Sequence, residues 1–138
     1  MKNYLLLLFA AFAISSCSDP LSDNDCKSGC KDAICTEIFK MITVTISDGD
    51  GGVIFLDKYD LYFTESKKSI DKRDSNTLSK QGQYVIASDA LLDDLDCDGT
   101  SITFSYNWNN EQITKEYLIG KDCCHVLQKD EQDLRIVH

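Results

Sequence analysis

The stretch KDCCHV, residues 121–126, sets Cys123, Cys124 and His125 side by side. Three chemistries use these residue types. A thiolate beside an imidazole base is a nucleophile. Cysteine and histidine together bind zinc. Two cysteines in an oxidising compartment are anchor points for disulfides. The nucleophile fits poorly, because neighbours on a strand point to opposite faces and a catalytic dyad is assembled in space from distant segments. Zinc would draw on Cys26, Cys30, Cys35, Cys123, Cys124, His125 and His138. Structural zinc usually takes paired ligands two to four residues apart; Cys26 and Cys30 meet that once, and no second pair completes a set.

Other candidates stop short in the same way. In DLDCDGT, Asp94, Asp96, Asp98 and Gly99 match the first half of an EF-hand calcium loop. The twelfth position, normally a bidentate Glu, is Ser105 inside a predicted strand. These aspartates are half a calcium loop, and the sequence gives no other reason to expect a cofactor. Asp48 and Asp50 are accounted for by a hairpin turn. There is no G-x-S-x-G, no H-E-x-x-H and no phosphate-binding glycine loop, and no spacing singles out a carboxylate pair. No catalytic residue is expected. Of the aromatics Tyr59, Tyr62, Tyr84, Tyr106, Trp108 and Tyr117, most read as core or cross-strand pairs. Trp108, beside a hairpin tip, is the one expected to be exposed and the candidate platform for a glycan or peptide.

Which chemistry the cysteines perform depends on their compartment. The chain opens MKNYLLLLFAAFAISSCSDP: Lys2 is a short positive region, residues 4–14 are apolar, and two serines precede Cys17. That order is a secretory signal peptide, and the apolar run is shorter than the about 20 residues a spanning helix needs. The residues ISSC resemble the bacterial lipobox, with Ile14 where Leu is commoner. The resemblance implies cleavage after residue 16 and a lipidated Cys17, carrying palmitate-type acyl chains that together hold a protein on a bilayer far more firmly than one chain does. Ser18 stands where an inner-membrane retention signal would have Asp, which favours the outer membrane. SDPLSDND resembles the surface-export signal of Bacteroidota-type lipoproteins, interrupted by Pro20 and Leu21.

Removal of residues 1–16 leaves 122 residues, one small domain plus a tether. It takes Lys2 along, leaving 13 basic against 23 acidic residues, a net charge of −10. Such a surface has no basic footprint for nucleic acid or for peripheral binding to anionic lipid. The chain has seven cysteines, an odd count. With Cys17 assigned to lipid, six remain, Cys26, Cys30, Cys35, Cys97, Cys123 and Cys124, and an even number in an oxidising compartment reads as a disulfide framework.

Residues 17–34 are polar and acidic, and read as a flexible tether closed by a local Cys26–Cys30 loop. The rest, residues 35–138, reads as strands. KMITVTIS (40–47) alternates, with Ile42, Val44 and Ile46 on one face. DGDGG (48–52) is a turn, and residues 53–64 read as a second strand with Tyr59, Leu61 and Phe63 in phase. Residues 65–82 are a polar excursion, 83–88 a strand, and 89–99 a loop with room for one helical turn. Residues 100–108 and 111–119 flank Asn109-Asn110, a hairpin turn because Asn tolerates the left-handed region. Two short strands near 124–128 and 133–137 close the chain. Seven to eight short strands of this spacing predict an all-β, antiparallel, disulfide-stapled sandwich. Its core is expected from Ile42, Val44, Ile46, Leu61, Phe63, Ile86, Ile102, Phe104, Tyr106, Ile113 and Val126. If the hairpin register is extended outward, Cys97 falls opposite Asp122, beside Cys123 and Cys124. Extended side chains at 123 and 124 diverge. Cys97 is therefore expected to bond one of them and Cys35 the other, each long loop contributing about 3–4.5 kcal/mol in the chain-entropy model.

VTISDGDGGVIFLDKYDLYFT is similar to the opening hairpin of transthyretin-like and carboxypeptidase-regulatory-like sandwiches, although Val53 stands where those domains commonly have proline. GKDCCHV resembles a late stretch in some small lipoproteins of that type. The resemblance covers roughly residues 35–130 and implies a non-catalytic accessory module. The expected protein is an outer-membrane lipoprotein, surface-exposed or periplasm-facing, that serves in binding or envelope assembly. Its expected partners are the membrane, through its lipid, and an unidentified protein or glycan. The alternative is a secreted metal-dependent or carboxylate-based hydrolase.

Overall fold

The structure, a computed structural model, describes residues 26, 29–30, 33–71 and 82–138. The expected signal peptide, Cys17 and most of the predicted tether lie outside them. Among the described residues seven strands form two sheets: β1 (Met41–Ser47), β2 (Tyr59–Phe63), β3 (Gln83–Ser88), β4 (Thr100–Trp108), β5 (Glu111–Lys121), β6 (Val126–Gln128) and β7 (Arg135–Val137). One sheet runs β3-β1-β7 and the other β2-β4-β5-β6. All pairings are antiparallel except β1 with β7. A short 3-10 helix, Asp89–Asp94, fills the predicted loop. The expected β-sandwich is the observed architecture.

The core follows from alternation. Ile42, Val44 and Ile46 of β1 turn inward to meet Tyr84 and Ile86 of β3 and Ile102, Phe104 and Tyr106 of β4. Tyr59, Tyr84, Phe104 and Tyr106 form a chain of ring contacts through the centre, with centroids 5.2–5.9 Å apart. All the expected core residues are buried except Ile113, which is half-buried against the cluster near the hairpin tip. The β4–β5 register is the one the Asn109-Asn110 turn demands: Thr100 lies opposite Ile119 and Trp108 opposite Glu111. Both turn residues have positive φ, 49° and 65°, matching the right-handed twist of the flanking strands.

The predicted second strand, 53–64, is cut short. Only Tyr59–Phe63 forms a strand, and it joins the sheet that does not contain β1, so the expected opening hairpin is reduced to one bridge between Val53 and Ser47. Between Val53 and Tyr59 a side chain takes the place of a strand partner. The Tyr84 hydroxyl accepts from Leu56 N at 2.7 Å and donates to Ile54 O at 3.2 Å. The DGDGG turn is closed by Asp48, whose Oδ1 accepts from the backbone nitrogens of Asp50 and Gly52.

The sandwich has two distinct ends. One gathers the starts of β1 and β4, the ends of β3 and β5, the 3-10 helix and residues 122–125. The other carries the Asn109-Asn110 hairpin, the Asp48 turn and His138, whose backbone nitrogen donates to Ser47 O.

Two stability effects follow. Asn110→Val should cost about 1–2 kcal/mol in urea denaturation, because a β-branched residue resists positive φ, while Asn110→Gly should cost nothing. The Tyr117 hydroxyl is fully buried and has no hydrogen-bond partner among the described residues. Burial first, then the charges of Tyr106, Asp130 and Asp133, push its pKa up to about 12. Tyr117→Phe should therefore raise stability by about 1 kcal/mol; a loss of stability would show that the hydroxyl has a partner.

Candidate functional site

The six cysteines converge on the first of these ends. Cys26 bonds Cys97, Cys30 bonds Cys123, and Cys35 bonds Cys124. Two of the expected pairings are overturned: there is no local Cys26–Cys30 loop, and Cys97 does not meet Cys123 or Cys124. The reason lies at Gly99. Its φ of +119° and the Gly99 N to Asp96 O hydrogen bond turn the chain out of line just before β4 begins. The hairpin register therefore stops at Thr100–Ile119 and cannot be extended to Cys97. Cys97 is left to the N-terminal segment, whose cysteines 26, 30 and 35 meet positions 97, 123 and 124 in order. Cys35 does reach one of the adjacent pair, Cys124. Segment 17–34, read as a tether, is thus covalently fastened to the sandwich at Cys26 and Cys30.

Asp122 sets the divergence of the adjacent cysteines. Its Oδ1 accepts from both Cys124 N and His125 N at 2.7 Å. This turn, rather than an extended strand, sends Cys123 and Cys124 to different partners.

Asp89 is the polar hub. It follows β3 and begins the 3-10 helix. Its Oδ2 accepts from Lys40 N at 2.7 Å and faces His125 Nδ1 at 2.8 Å, while Oδ1 accepts from Val126 N at 2.9 Å. Asp89 N in turn donates to Lys40 O. One carboxylate thereby ties the start of β1 in one sheet to the start of β6 in the other. Burial alone would raise its pKa, but the hydrogen bonds from Lys40, His125 and Val126 outweigh burial and hold it below the ordinary carboxylate value. The Asp89 and His125 side chains are 10% and 21% exposed.

The far nitrogen of His125 lies 3.2 Å from Thr36 Oγ1. Carboxylate, imidazole and hydroxyl in that order resemble an acyl-transfer relay. Here, however, Asp89 is also committed to two backbone amides, and Thr36 lies on the exposed, stapled segment. The line acts as a joint that seats residues 35–40 on the sandwich. Sequence spacing carries no sign of it, since Asp89 and His125 lie 36 residues apart.

The remaining candidates are dispersed. All six cysteines are consumed in disulfides, which leaves no thiolate for zinc or for nucleophilic attack among them. Asp94 pairs with Lys68 Nζ at 2.8 Å, and the Asp96 backbone nitrogen donates to Thr100 Oγ1. Both aspartates line a shallow cleft of about 350 Å³ with Phe63, Glu65, Lys68 and Leu118; Asp98 is not in its lining. Among the described residues no group of three or more His, Cys, Asp or Glu is placed to hold a metal. Trp108 is half-buried rather than exposed, because its ring stacks on His138 at 5.2 Å while the Tyr106 hydroxyl bonds His138 Nε2 at 2.7 Å.

Apolar exposure is concentrated at the two ends. Ile34, Ile38, Phe39 and Met41 are exposed beside the staples. At the opposite end Val53 and Val137 pair with Ser47 from its two sides. Residues paired laterally share a sheet face, so these two exposed valines flank Ser47 on the outer face. Phe55, two residues beyond Val53 and also exposed, extends the strip past buried Ile54. No protein-family model, no curated protein and no solved structure matches this chain.

Removing the Cys35–Cys124 bond by Cys35→Ser with Cys124→Ser should lower stability by about 2–5 kcal/mol, and non-reduced peptide mapping should recover the 26–97, 30–123 and 35–124 peptides. Asp89→Ala should cost about 2–3 kcal/mol at neutral pH. The folded pKa of Asp89 lies below its unfolded value, so its contribution is present at neutral pH and is lost as pH falls through the folded value. The gap between wild type and Asp89→Ala, measured by urea denaturation, should therefore narrow below about pH 4.

Proposed function

We propose that the protein is a lipid-anchored, non-catalytic binding or envelope-assembly module held at the outer membrane through Cys17. The observation that carries this reading is cysteine parity. Three bonds within the chain use Cys26, Cys30, Cys35, Cys97, Cys123 and Cys124, and the seventh cysteine is the one in the lipobox-like ISSC. Disulfides belong to oxidising compartments, in keeping with a signal peptide. The sequence likeness of residues 44–64 to transthyretin-like accessory modules supports a binding role, although β1 and β2 fall in different sheets rather than forming a hairpin. So does the strip Val53, Phe55 and Val137, an apolar exposure at the end of the fold opposite the N-terminal staples. A protein or glycan presented to that end would meet apolar side chains ringed by the polar turns at Asp48 and Asn109-Asn110.

Mass spectrometry of the mature N-terminal peptide tests the anchor. Acylated Cys17 is expected, and Cys17→Ser should release the protein from the membrane fraction. A photo-crosslinking residue at Phe55 tests the binding end in intact cells. One discrete adduct is expected, lost on Val53→Asp with Val137→Asp; no adduct from a correctly anchored protein would count against this surface.

A further inference from the structure

The apolar residues beside the staples have a partner chemistry of their own, and this inference rests on the lipid anchor proposed above. Eight residues, 18–25, separate Cys17 from Cys26. Fully extended, the chain from Cys17 to Cys26 spans at most about 30 Å. Cys26 is bonded to Cys97, so the tether ends there and not at the start of β1. The end of the sandwich bearing all three disulfides is thus confined to the bilayer surface. The next segment, residues 33–41, is pinned at Cys35 and at Lys40, where the backbone is bonded reciprocally to Asp89. Within it Ile34, Ile38, Phe39 and Met41 are 97%, 72%, 52% and 40% exposed. Four large apolar side chains within eight residues, all solvent-facing, are a poor surface for water and a good one for the headgroup–acyl boundary. Apolar groups there bury about 5–10 Å into the membrane.

We propose that this stapled segment docks into the bilayer interface, so that the domain rests on the membrane on its disulfide-bonded end. Docking is apolar and not electrostatic. Glu37 is offset by Lys40 within the segment itself, while Asp93, Asp94, Asp96 and Asp98 lie at the same end of the fold. Zwitterionic lipid is therefore the favoured surface, and anionic lipid is disfavoured at low salt. The geometry also orients the molecule: the hairpin end, with Val53, Phe55 and Val137, points away from the membrane.

The test uses the acylated full-length protein reconstituted into phosphatidylcholine vesicles. Phe39→Trp adds a reporter to the stapled end, and the native Trp108 serves as the reporter of the opposite end. With brominated phosphatidylcholine, the emission that Phe39→Trp adds should be blue-shifted and quenched, while wild-type protein, reporting Trp108 alone, should be unaffected. Combining Phe39→Trp with Ile34→Asp and Ile38→Asp should abolish the quenching with thermal stability unchanged, since both isoleucines are exposed. Replacing a third of the lipid with phosphatidylglycerol at low salt should weaken it. An acylated protein that floats with the vesicles yet shows no quenching overturns the docking alone. A protein that carries no acyl chain and does not float overturns the anchor, and the docking with it.

Discussion

Three covalent bonds drawn from a ten-residue stretch, Cys26 to Cys35, hold the last third of this chain in place. A domain of about 100 residues buries only about two-thirds of its unfolded surface. Its smaller sheet, β3-β1-β7, contains two short pairings and a β-bulge between Ile42 and Thr43. The bonds remove much of the freedom of the unfolded chain between positions 26 and 124. They also place residues that local preference could not. Asp122 turns the backbone so that Cys123 and Cys124 diverge, and Asp89 joins the sheets where the staples arrive. Covalent and charge-assisted contacts therefore act at the same end and on the same segments.

Much of the fold is legible in the sequence because its signals are local. The alternation of Ile42, Val44 and Ile46 marks β1, and the paired asparagines set the β4–β5 register to the residue. The parts that are not legible depend on distance or on a side chain acting as backbone. Nothing around VIFLDKY foretells that the Tyr84 hydroxyl will take the hydrogen bonds of residues 54–56. Extending the hairpin register to Cys97 requires an uninterrupted strand, and Gly99 interrupts it. A glycine directly before a predicted strand is the signal that redirects Cys97 away from Cys123 and Cys124.

The candidate site is legible in a narrower sense. The cysteines read as staples, and His125 as a residue beside them. The partner of His125 is hidden, because Asp89 is one of 23 acidic residues and becomes singular only when β3 delivers it to the ends of two other strands. Trp108 illustrates the reverse error. A residue next to a hairpin tip is ordinarily open to water, but β7 runs parallel to β1 and brings His138 over the indole.

The Cys26–Cys97 bond also decides how the molecule bears a pull. Tension in the chain ahead of residue 26 passes through sulfur to Cys97 and reaches the sandwich three residues before β4. The Cys30–Cys123 and Cys35–Cys124 bonds lead from the same stretch to the turn between β5 and β6, so β1 is not the sole route into the sandwich. β4 is hydrogen-bonded along both edges, to β2 and to β5. Freeing it means breaking two ladders, whereas an edge strand such as β7 is held by the single three-pair ladder to β1. The stretch that anchors the chain thus transmits force to the strand best placed to resist it.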